Sequence, residues 1–104
     1  FKDCLISATD YAGLVSATTQ TATIENINAD NCNIYSTNSG GITGAVLGEN
    51  ALIRNCNINQ CTVIGTAKSA GITPVTQADT AITNVHVTKS DITSPSGYAW
   101  GVSP

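Results

Sequence analysis

Seven carboxylates are the side chains of this chain best suited to acid–base chemistry: Asp3, Asp10, Glu25, Asp30, Glu49, Asp79 and Asp91. Glycoside cleavage needs two such groups about 5–9.5 Å apart across a sugar ring. No cluster of Arg, Lys or His accompanies any of the seven along the chain, so an acid, a base and a stabiliser are not assembled. His86 is the one histidine. The four cysteines, Cys4, Cys32, Cys56 and Cys61, contain no CxxC pair, which argues against a metal site. Four cysteines in a short chain also raise the question of disulfides. Tyr98 and Trp100 are able to stack on a sugar, as exposed aromatic rings do, or to cover the end of a hydrophobic core. The second role is the one expected of residues so close to the end of the last repeat. No catalytic residue, metal or cofactor is expected.

The frame that places these residues is a repeat. Leu5 to Cys32, Asn33 to Cys61, Thr62 to Ser90 and Asp91 to Pro104 align at a spacing of 28 to 29 residues, the last copy being partial. Ile6, Ile34, Val63 and Ile92 share one column, and Ile24, Ile53 and Ile82 another. Gly13, Gly41 and Gly71 share a third, with a one-residue insertion before Gly71. Asn26, Asn55 and Asn84 share a fourth, and Cys4, Cys32, Cys61 and Ser90 a fifth. Self-similarity at 20 to 50 residues marks a solenoid, propeller or array.

Thr, Asn, Val, Ile and Gly dominate each copy, which disfavours helix and favours short strands. Residues alternate with period two. Cys4, Ile6 and Ala8 are predicted to face inward, with Cys32, Ile34 and Ser36, then Cys61, Val63 and Gly65, in the following copies. Leu5, Asn33, Thr62 and Asp91 face outward. Glu25 should lie above Arg54 on a neighbouring strand, an exposed pair worth about 0.2–1 kcal/mol. Asn28, Asn57 and His86 fall in one outward column, which reads His86 as an exposed strand residue.

The Asn26, Asn55 and Asn84 column is expected to form a side-chain ladder along the coil axis, because Asn both donates and accepts and tolerates turns. The glycines are expected at corners that need positive φ. Cys4, Cys32 and Cys61 are expected to be buried free thiols acting as small hydrophobes. Cys56 alternates with Ile27 and Val85 in its own column, and three stacked thiols cannot all pair.

A 28- to 29-residue turn of two or three strands is too long for a hexapeptide helix and too short for a propeller blade of about 40 residues. The predicted fold is an all-β, right-handed parallel β-helix of about 3.5 rungs, one solenoid module over residues 1–104, the hand following the usual rule for parallel crossovers. Its rungs are residues 5–32, 33–61, 62–90 and the partial 91–104.

At 104 residues the chain is at most one domain, and a small one for burying a core unaided. Charged residues make up 11 % and the net charge is −3, so the basic footprint of a nucleic-acid binder is missing. No stretch approaches the roughly 18 apolar residues of a membrane-spanning helix. Without a leader or an initiator Met, the chain reads as a mature product or a piece of something longer. A flat ice-binding array is disfavoured, because Thr21-Ala22-Thr23 is not repeated by Asn50-Ala51-Leu52 or Asp79-Thr80-Ala81.

Gly44-Ala45-Val46-Leu47-Gly48-Glu49-Asn50-Ala51-Leu52-Ile53-Arg54-Asn55-Cys56 resembles the GLUG repeat. Ala12-Gly13-Leu14-Val15 with Ile24-Glu25-Asn26, and Ala70-Gly71-Ile72 with Ile82-Thr83-Asn84, are looser copies. The resemblance implies an extracellular or cell-surface setting and a structural or adhesive role in a microbial surface protein. Solenoid ends expose apolar core and unpaired strand edges. The expected partners are therefore flanking solenoid rungs or further copies stacked end to end into a fibre, with surface glycans as a further class. A carbohydrate-binding or carbohydrate-cleaving β-helix is the alternative reading.

Overall fold

The computed structural model describes residues 1–15, 17–18, 21–44 and 46–103. Ala45 of the GLUG-like stretch and Pro104 at the end of the fourth rung lie outside the described residues. Strand accounts for 53 % of the chain and helix for none, as expected for an all-β fold. The first rung contributes β1 (Leu5–Ala8), β2 (Tyr11–Ala12), β3 (Thr23–Glu25) and β4 (Asn28–Asp30). The second contributes β5 (Asn33–Ser36), β6 (Ser39–Gly40) and β7 (Leu52–Asn59). The third contributes β8 (Thr62–Gly65), β9 (Lys68–Ala70) and β10 (Ala81–Thr88), and β11 (Asp91–Thr93) and β12 (Tyr98–Trp100) follow.

These strands stack into three parallel sheets that form a β-solenoid of about three turns. One sheet runs β1-β5-β8-β11, the second β2-β6-β9-β12, and the third places β3 and β4 on β7 and β7 on β10. Ile6 registers with Ile34, Ile34 with Val63, and Val63 with Ile92. Ile24 registers with Ile53, and Ile53 with Ile82. The repeat columns of the sequence are thus the strand ladders of the fold. The extra residue of the third rung enters where the sequence alignment allows it, next to Gly71. Gly40 still registers with Ser69, whereas the Thr43 N–H reaches the Ile72 carbonyl, so the insertion lies between Ser69 and Thr73.

The middle rungs hold the sealed core. Ile34, Ile42, Ile53, Ile58 and Ile72 are fully buried, each contributing about 1.5–3 kcal/mol of transfer free energy. Ile6, Ile82, Val85, Val87 and Ile92, on the edge strands β1, β10 and β11, are only partly covered.

The corners revise one expectation. No glycine among the described residues has positive φ. Asn26, Asn55 and Asn84 take that conformation at 59°, 55° and 50°, and Asp3, Asn31, Gln60 and Lys89 form a second such column at 50–55°. Asn and Asp enter this region most readily among residues with a Cβ. The N–H groups of Asp3, Asn26, Asn31 and Gln60 each donate to a carbonyl on a neighbouring rung, so the backbone ladder continues through the bend. This bend splits the first rung into β3 and β4, while β7 and β10 run through it. The glycines answer a different need. A Cβ on Gly13 would lie 2.6 Å from the Gly41 carbonyl oxygen, on Gly41 2.8 Å from that of Ile72, and on Gly71 2.2 Å from that of Gly101. Adjacent rungs approach too closely at this corner for any side chain.

Candidate functional site

The cysteine column lies just after the second positive-φ corner, and this position gives it a task. The Cys32 N–H donates to the Cys61 Sγ at 3.4 Å, and the Cys61 N–H donates to the Ser90 Oγ at 3.1 Å. Each side chain in turn donates to the carbonyl two residues earlier: Cys4 to Lys2, Cys32 to Asp30, Cys61 to Asn59 and Ser90 to Thr88, at 2.8–3.6 Å. A thiol or hydroxyl therefore tends backbone groups where the chain turns, and Ser90 fills the slot for the same reason. All four cysteines are free, Cys4 half-buried and Cys32, Cys56 and Cys61 buried. The column is more than a row of small hydrophobes, because its members accept and donate as well as fill space. Burial pushes the Cys61 thiol pKa above its ordinary value, against hydrogen bonds that lower it. This chemistry is structural, since a protonated, enclosed thiol is a poor nucleophile.

On the outer face of the third sheet, polar side chains climb from rung to rung. The Asn84 Nδ2 donates to the Asn55 Oδ1 at 2.7 Å, and the Asn57 Nδ2 to the Asn28 Oδ1 at 2.9 Å. The Asn59 Nδ2 donates to the Asp30 Oδ1 at 3.2 Å, and the Thr88 hydroxyl to the Asn59 Oδ1 at 3.0 Å. In the Asn26, Asn55, Asn84 column the bonded side-chain step is the upper one. Asn26 joins through its backbone, its N–H donating to the Arg54 carbonyl at 3.2 Å. Arg54 pairs with Glu25 at 2.7 Å, with both side chains about half exposed, so the pair contributes little to stability. His86 is exposed, in register with Asn57.

Among the described residues no three of His, Cys, Asp and Glu come together in a way that could hold a metal ion. No helix is long and apolar enough to cross a membrane.

At the aromatic pair, concave surface and distinctive chemistry meet. β12 pairs with β9, setting Tyr98 opposite Lys68 and Trp100 opposite Ala70. The two rings stack with centroids 5.8 Å apart and planes 23° from parallel. Tyr98 is 68 % exposed, so it does not seal the core. Both rings wall an open groove of about 380 Å³ whose other side is Lys68, Pro74, Val75 and Thr76. Sequence reasoning found the aromatics but missed Lys68 and the Pro74–Thr76 wall. The signal was the echo between Gly71-Ile72-Thr73-Pro74 and Gly101-Val102-Ser103-Pro104, which sets the fourth rung over the third and so Tyr98 over Lys68. Comparison with family models, with curated proteins and with solved structures returns no match.

Proposed function

We infer that this chain is a structural and adhesive solenoid module, right-handed and extracellular, whose end faces pack against further rungs of the same kind. The observation that carries the reading is Gly101. It occupies the corner where Gly13, Gly41 and Gly71 are each forced to be glycine by the rung beside them. A Cβ on Gly101 would meet nothing within 4 Å, and its φ is not positive. Glycine there answers no need within the chain, and it matches the need that a further rung would impose.

The edges support the same reading. Apart from β4, along which Phe1–Asp3 pairs, the edge strands β1, β2, β3, β10, β11 and β12 have no further strand beside them among the described residues, and they contain neither Lys nor Pro, the residues that commonly protect an edge. Partly covered Ile6, Ile82 and Ile92 lie on these edge strands. The GLUG-like stretch at Gly44 to Cys56 adds the extracellular setting. A head-to-tail contact of this kind need not close on itself and can grow.

Negative-stain microscopy and light scattering over a concentration series test the self-stacking form. Filaments, or a mass that rises with concentration, are expected. Gly101→Leu should leave the melting of the dilute monomer unchanged and suppress growth. A wild-type chain that stays monomeric throughout overturns stacking between copies.

A further inference from the structure

We propose that the groove between the Tyr98–Trp100 pair and Pro74–Thr76 binds an acidic polysaccharide, a sugar ring lying on the aromatic pair and a uronic-acid carboxylate meeting Lys68. This inference is independent of end-to-end stacking. Its size, about 380 Å³, falls within the range of small-ligand sites, about 300–1,000 Å³. Apolar lining with a few convergent polar groups is the usual composition of such sites, and here Lys68 and Thr76 supply the polar groups.

Three observations select the ligand class. Stacked rings with one largely exposed offer a flat apolar face with a polar tip, which suits the C–H face of a pyranose ring. Lys68 has no ion pair among the described residues, where Arg54–Glu25 is the salt bridge present. No Asp or Glu lines the groove, although the chain carries seven and a net charge of −3. An unpaired ammonium beside an aromatic platform, in a chain otherwise short of cations, complements a ligand that carries negative charge.

Trp100 is the one tryptophan of the chain, so its emission reports the groove directly. The experiment titrates the full chain with an oligogalacturonate and, separately, with a neutral cello-oligosaccharide, at a protein concentration where scattering shows no growth. The acidic oligomer should shift or quench the emission. Tyr98→Ala should weaken binding by about tenfold through loss of the ring platform. Lys68→Gln should weaken it about two- to fivefold, with raised salt reproducing that loss in the wild type. Tyr98 is exposed, so its variant should keep the wild-type circular dichroism and melt.

Equal affinity for neutral and acidic oligomers overturns the role of Lys68 and with it the ligand class. No change in emission up to about 10 mM sugar, an affinity weaker than about 2.7 kcal/mol of binding, overturns the site. An emission that follows protein concentration rather than sugar means that a second copy covers the groove, which also overturns the proposal. Failure of stacking, read by scattering, leaves each of these sugar outcomes readable.

Discussion

Gly40 and Gly41 are adjacent in sequence, and alanine should act on them in opposite directions. At Gly40, in β6, a new Cβ would meet the Ile64 carbonyl oxygen at 3.4 Å and the Val63 Cγ1 at 3.5 Å, which is ordinary packing contact. Its register partners are Ala12 and Ser69, both of which already carry a Cβ. Neither glycine has positive φ. Gly40→Ala should therefore stabilise the fold by about 0.4–1 kcal/mol, by removing conformational freedom from the unfolded chain. For a domain of this size that is a rise in melting temperature of about 2–8 °C. At Gly41 the new Cβ would lie 2.8 Å from the Ile72 carbonyl oxygen, 3.1 Å from the Pro74 Cδ and 3.1 Å from the Thr43 carbonyl oxygen. Two of those atoms belong to the backbone and cannot rotate away, so the rungs must separate locally. Overpacking of this kind costs about 1–3 kcal/mol, a fall of about 4–24 °C on the same scale. Thermal melts followed at the β-sheet circular dichroism band, at a concentration where the chain is unassembled, read both shifts. A Gly41→Ala protein melting at or above wild type would refute the claim that rung spacing fixes the glycine column.

The remaining predictions concern the corners. Cys61→Ser should be better tolerated than Cys61→Val in denaturant titrations, because Val leaves the Cys32 N–H without its acceptor, a loss of about 1–3 kcal/mol; equal stabilities would return the column to simple space filling. Folding favours the protonated Cys61 thiol, so its contribution is complete below the ordinary cysteine pKa of about 8.5 and is lost as pH rises through the higher folded value. Denaturant stability should accordingly fall at alkaline pH, and Cys61→Ser should flatten that fall; an unchanged slope would place its cause elsewhere. Asn55 holds a φ of 55° and accepts from Asn84. Asn55→Gly should match wild type in melting temperature while Asn55→Ala loses about 1–2 kcal/mol; equal losses would show that the ladder bond, rather than the backbone conformation, holds the bend.

The fold was legible because a parallel solenoid writes its register into the sequence. Ile6, Ile34, Val63 and Ile92 occupy equivalent slots facing one core, so burial selects one kind of residue at a fixed interval. The positive-φ corners were half legible. Asn26, Asn55 and Asn84 repeat one residue type, whereas Asp3, Asn31, Gln60 and Lys89 share a backbone conformation and little side-chain chemistry. Alignment by residue type cannot see such a column. The glycines misled for the converse reason: glycine serves both positive φ and close approach, and only the distance to the neighbouring carbonyl tells the two apart. The groove was hidden because its walls come from Lys68 to Thr76 and from Tyr98 to Trp100, adjacent only once the third and fourth rungs are stacked.

That stacking also explains why chemistry is so sparse along this chain. Inward slots are held to small or apolar residues by the core. Corner slots are held to residues that accept positive φ or to glycine. Slots after the second corner are held to thiols or a hydroxyl by two backbone partners. What remains variable is the outward columns and the end rungs, and several outward columns of the third sheet are occupied by Asn, Asp and Thr in mutual hydrogen bonds. Tyr98 and Trp100 break this pattern. Lys68 stands against Ser39 one rung below and Tyr98 one rung above, a progression that no ladder bond requires. Trp100 stands against Ala70, where a methyl group suffices for the rung beneath. Lys68, Tyr98 and Trp100 are larger and more costly to order than their slots demand, which places their role outside the packing of the coil, and the three converge on one groove.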